Sequence, residues 1–235
     1  GQTRRIANNP VTISAMLGSP LAIYAIFTAA SDSNNTASNA MVESPGAMAA
    51  LSESSVALTA IFSNTTSRTQ FTNSATYSEN VSSVTTLLAG LDPITYSTKN
   101  LLFASSPAMT AVFSSVSAAQ SVVVDQDMLT RTAAQSVAVE NIASAPDILA
   151  IFAPSSMAMT TFAANSDAMQ EFIVNNDPML AFSKSRVAMS AISLNPAAWV
   201  TFKSSTFFDA NLKDIISNLA GLTSSAYADV DAIIN

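Results

Sequence analysis

Residues 155 to 204 read SSMAMTTFAA NSDAMQEFIV NNDPMLAFSK SRVAMSAISL NPAAWVTFKS, and set out in tens they align without a gap. Each unit opens on Ser or Asn, places Met or Trp fifth (Met159, Met169, Met179, Met189, Trp199) and closes on an apolar eighth residue (Phe162, Phe172, Phe182, Ile192, Phe202). The fourth residue is Ala in every unit but one, where Pro178 stands. A repeat read this way takes precedence over any other pattern, because one unit that recurs implies one local structure that recurs.

The same frame extends in both directions. From Ser105 onward the eighth column runs Val112, Val122, Thr132, Ile142, Phe152 and on to Leu222, with Thr132 its one polar member. The fifth column runs Met109, Ala119, Leu129, Val139, Leu149 and on to Leu219, broken only at Asp209. Upstream the unit continues one residue out of phase, with eighth positions Met41, Leu51, Ile61, Phe71, Val81, Leu91 and Leu101, and two earlier copies open at Asn9 and Ser19. A five-residue insertion, AASDS, near 29–33 and a single extra residue near 95–104 break the phase. The array therefore divides into 1–103, with degenerate Thr- and Ser-rich copies from 64, and a regular 104–235, read as one continuous solenoid of about twenty units with an atypical C-terminal cap.

A small polar residue followed by Pro is the order of a helix N-terminus, where the side chain caps free N–H groups and the missing proline donor costs nothing. Asn9-Pro10, Ser19-Pro20, Ser44-Pro45 and Asn195-Pro196 are cases. Apolar residues at positions four, five and eight fall on one face of a two-turn helix. Roughly seven helical residues and a turn of about three fill the ten, and a helix so short needs neighbours, since isolated helices become marginal only near ~12 to 15 residues. The expected fold is all-α, a solenoid of short helices and turns whose Met and Phe columns form a shared apolar spine, leaving positions two, three, six, nine and ten to solvent. A β-solenoid is the alternative, disfavoured by five Gly in 235 residues and by the Ala and Met columns.

Composition narrows function. The chain is 49% hydrophobic and 11% charged, so its surface must be largely Ser, Thr and Asn. Its net charge of -7 comes with no cluster of Lys or Arg, which argues against nucleic acid as a partner. No segment approaches the ~20 apolar residues that span a bilayer. Without Cys or His the chain lacks thiol nucleophiles, imidazole bases and Cys/His metal sites, and no cofactor is expected. Asp125, Asp127 and Glu140 are the densest acids, but they lack the rest of a calcium loop and read as a cap and a solvated turn. Asp209 marks a rearranged unit in which Phe207 and Phe208 supply the missing apolar contacts, and Trp199 reads as core, with edge exposure for stacking on a sugar the alternative. Asn34, Asn64 and Asn80 begin glycosylation-type triplets of the kind that this composition produces by itself.

The stretches SPGAMAALSESSVALTAIFSN and NSDAMQEFIVNNDPMLAFSKSRVAMSAISLNP resemble the S-x-x-A-M-x-A-[VI]-x-x arrays of tail-fibre and other virion-surface proteins of tailed bacteriophages, over most of the chain from Asn9 to about Leu222. The resemblance implies a non-enzymatic structural or adhesive role at the surface of the virion. The implied partners are other virion proteins, further copies of the chain, and a host surface glycan or protein. A second expectation, from another class, is a carbohydrate-binding module or small polysaccharide-acting enzyme on a bacterial surface, its site built by the insertion near 29–33 and the irregular 92–104 region.

Overall fold

The computed structural model describes residues 7–28, 36–62, 65–89, 103 and 105–220, and among them every regular element is helical. This removes the β-solenoid alternative, for the reason already present in the columns: Ala and Met suit helix, and the chain lacks the corner glycines that tight β-coils use. The chain falls into two compact units, Gly1–Ser121 and Val122–Asn235. The phase break near 95–104 thus lies inside the first unit.

The first unit holds α1 (Pro10–Leu17), α2 (Pro20–Thr28), α3 (Thr36–Val42), α4 (Pro45–Ser52), α5 (Ser55–Phe62), α6 (Thr65–Thr72), α7 (Tyr77–Ala89) and α8 (Ser106–Val112). In sequence α9 (Val116–Val123) crosses the boundary. The second unit holds α10 (Gln126–Ala133), α11 (Ser136–Ala143), α12 (Pro146–Phe152), α13 (Ser156–Ala163), α14 (Ser166–Ile173), α15 (Asn176–Lys184), α16 (Arg186–Ser193), α17 (Pro196–Lys203), a 3-10 turn at Asp209–Asn211 and α18 (Leu212–Leu219).

In the regular array a single extended residue stands at most corners. Ser155, with φ −87° and ψ 113°, and Asn165, with φ −111° and ψ 110°, are extended residues between two helices. The Ser155 N–H donates to the Phe152 carbonyl at 2.9 Å, its carbonyl accepts from the Met159 N–H at 2.9 Å, and its hydroxyl accepts from the Ala158 N–H at 3.2 Å. Position one therefore ends one helix, starts the next and caps it. No described residue has positive φ, so these corners need no glycine. Between α1 and α2 the chain bends by 108°, close to a third of a full circle.

Each helix packs on its successor in several pairs, and also on the helix three further along. In the first unit α1 packs on α4, α2 on α5, α3 on α6 and α4 on α7. In the second, α10 packs on α13, α11 on α14, α12 on α15, α13 on α16, α14 on α17 and α15 on α18. The core follows the columns. Met159, Phe162, Met169, Phe172, Met179, Phe182, Met189, Ile192, Trp199 and Phe202 are all buried. Phe152, Phe162, Phe172 and Phe182 touch in succession, with ring centroids 5.7, 5.2 and 5.1 Å apart. Fully burying such a side chain is worth about 1.5–3 kcal/mol, and here each ring is covered by residues of other units, so no unit is stable alone. Thr132 occupies the apolar eighth column with its hydroxyl bonded back to the Met128 carbonyl at 2.8 Å, so that hydroxyl is satisfied within its own helix.

Three expectations are corrected. Position nine is not a solvent position: Phe113, Ala133, Ala143, Ala153, Ala163, Ser183 and Ser193 are buried there, because a residue next to position eight lies at the edge of the packed face. The rule that each unit stops and restarts fails at α7, which runs 13 residues. Its frame position one is Val84, buried and unable to cap, and Thr85 bonds back to the Val81 carbonyl, so the helix continues. In the first two copies the eighth residues, Met16 and Ile26, are only half-buried, and Ile13 and Ile23 at position five carry the core.

Candidate functional site

Two of the acids singled out by sequence, Asp125 and Asp127, do structural work. Asp125 caps α10, its Oδ1 accepting from the Met128 N–H at 2.9 Å. Asp127 pairs with Arg131 one turn on at 3.0 Å. Glu140 lies exposed on α11 and joins neither. Among the described residues no three acids gather closely enough to hold a metal ion. Asp209 is exposed in the 3-10 turn, while Phe208 packs its ring 6.0 Å from both Trp199 and Phe202.

Trp199 is only 3% exposed, so it is core as expected and the alternative of an open edge for stacking on a sugar falls away. It lies against Phe202 at 6.0 Å and 22°, with the Lys203 ammonium 5.6 Å from its ring. Its indole N–H is buried and has no hydrogen-bond partner. Asn80 is half-buried, and its side-chain amide donates to the Thr76 carbonyl at 2.8 Å, so the nitrogen that a glycan would need is engaged. Asn34 and Asn64, the insertion near 29–33 and all of 92–104 except Phe103 lie outside the described residues.

Surface clefts open among the described residues. One of about 560 Å³ runs beside α1 and α4 in the first unit, with Pro10, Ile13, Leu17, Pro45 and Glu53 among its lining residues. A second of about 580 Å³, also in the first unit, is lined by Ser55, Ser82, Thr86, Leu87 and Ser117, again with Glu53. Ser82 already shares hydrogen bonds with Ser115 at 3.0 Å and Ser117 at 3.1 Å, and Thr86 with Ser121 at 2.9 Å. These hydroxyls tie neighbouring helices together. The third, about 290 Å³ in the second unit, has Asp167 and Glu171 in its wall. Both carboxylates stand one turn apart on α14, whereas glycoside hydrolysis needs an acid and a base that flank the bond.

The signal that sequence reading passed over is in the small residues. Buried Ala and Ser at position nine and the hydroxyls at position one look like filler in a list of residue types. They become legible only when the helix three units away is seen against them. No family model matches the chain, and comparison with curated proteins finds no significant match.

Proposed function

We propose that the chain is a solenoid of ten-residue helical units, three to a coil, serving as a non-enzymatic structural or adhesive component of a bacteriophage particle, in a tail fibre or elsewhere on the virion surface. The observation that carries the reading is the packing of each helix on the third one along, repeated six times in the second unit. Such a fold gains length by adding copies and has no inherent end, which is what a spacer or display scaffold requires. The sequence is poor in charge and rich in Ser and Thr, which suits a passive surface. Its partners in this reading are other virion proteins and further copies of the chain, with a host surface glycan or protein as the adhesive target.

The test is location. Peptide mass spectrometry and labelling with an antibody to this chain, applied to purified particles of the phage that encodes it, should place the chain on the particle surface in constant copy number. Its absence from particles would end the proposal.

A further inference from the structure

Position-one serines are not all alike. The Ser185 hydroxyl accepts from the Ala188 N–H at 3.2 Å, as a cap should, and also donates to the Ala153 carbonyl at 2.6 Å. Ser205 accepts from the Phe207 N–H at 3.2 Å and donates to the Ile173 carbonyl at 2.7 Å. Ser44 accepts from the Ala47 N–H at 3.5 Å and donates to the Ala7 carbonyl at 3.0 Å, with the Asn8 side-chain oxygen also 2.9 Å away. The reach is 32 residues in the first two cases and 37 in the third. Setting aside the five inserted residues near 29–33 makes the third 32 as well, so one geometry recurs three times across both units.

The carbonyls reached are special. Ala153 is the C-cap of α12 and Ile173 ends α14, positions where carbonyls have no partner inside their own helix. A hydroxyl can accept and donate through a single oxygen, whereas an amide side chain divides these roles between two atoms. Asn165 and Asn195 accordingly cap through Oδ1 and make no bond to an earlier helix end. Ser54 and Ser155 cap their helices at 3.2 Å and stop there.

We infer that Ser44, Ser185 and Ser205 are clasps, each closing a joint between a corner (a helix start at Ser44 and Ser185, the turn before the 3-10 element at Ser205) and a helix end about three units earlier, while corners at Ser54, Ser155, Asn165 and Asn195 are capped but unclasped. The array then opens in a fixed order. Unclasped joints open first, and clasped joints hold until the local structure is lost. This rests on hydrogen-bond geometry alone and stands whether or not the chain belongs to a virion.

Amide hydrogen exchange on the full chain tests it. In Ser185→Asn the cap is kept and the clasp is lost, so amides in the last turn of α12 and the first turn of α16 should exchange about tenfold faster, the effect of losing one hydrogen bond. Ser205→Asn should do the same at the end of α14. Ser155→Asn, the same change at a corner without a clasp, should leave exchange within about twofold, and Ser185→Thr, which keeps the hydroxyl, should restore protection. Equal behaviour of Ser185→Asn and Ser155→Asn, or unchanged exchange in Ser185→Asn and Ser205→Asn, would overturn the inference.

Discussion

At the scale of single residues, size at position nine matters as much as hydrophobicity at position eight. Ala163 is buried at the edge of the packed face, and Ala164, the next residue, is exposed. Ala163→Leu should therefore cost about 1–3 kcal/mol through overpacking. Ala164→Leu should change stability by no more than about 0.5 kcal/mol, since Leu194 stands exposed at the same position of its own unit. Urea denaturation of the two variants measures the contrast. Tyr77 offers a second residue-level test. Its phenol is buried without a hydrogen-bond partner, and desolvation pushes its pKa up, so the folded chain holds the proton at a pH where the unfolded chain has released it. Folded above unfolded means that stability is intact below about pH 10 and is lost as pH rises beyond it. Tyr77→Phe should leave stability at pH 7 unchanged or raised by up to about 1 kcal/mol and should flatten the alkaline loss. Denaturant midpoints at neutral and alkaline pH decide this. The eighth and fifth columns were legible in sequence because Phe and Met announce burial. Position nine was not, because Ala and Ser are common on surfaces too.

At the scale of the helix, the sequence marks starts better than stops. Ser or Asn followed by Pro or a small residue places the beginnings of α1, α4, α8 and α17, each with a side-chain cap bond. Caps are unequal, however. Asn165 accepts from the Asp167 and Ala168 N–H groups at 3.1 and 3.0 Å, while Asn175 makes no cap bond. Asn165→Ala should cost about 1 kcal/mol, within the usual range of about 0.5–2 for a lost cap, and Asn175→Ala distinctly less. Thermal melts read both, and equal losses would mean that capping is not what these residues do. The long helix α7 was hidden from sequence reading for a related reason. The frame continues through Val81 and Leu91, but no capping residue stands at Val84, and a helix without a stop signal runs on.

At the scale of the whole molecule, a ten-residue period in sequence contains no information about how many units close a coil. That number is set by the angle of the one-residue corner and by which faces then meet, and both are tertiary properties. Packing of α13 on α16 and of α14 on α17 is what supports the proposed three units to a coil. The same packing makes the proposed solenoid tolerant of some deletions and not others. Removing residues 155–184 takes out three consecutive units, so α12 would be followed by α16, which starts at the same corner of a coil as α13. Removing residues 165–174 takes out one unit and shifts every later helix to the wrong stack, setting buried position-nine residues against new partners. The deciding measurement is the thermal unfolding of these two deletion variants by circular dichroism. The account predicts that the chain lacking 155–184 keeps a cooperative helical transition, while the chain lacking 165–174 loses cooperativity or melts far lower. Equal tolerance of both deletions, or better tolerance of the ten-residue one, would contradict it.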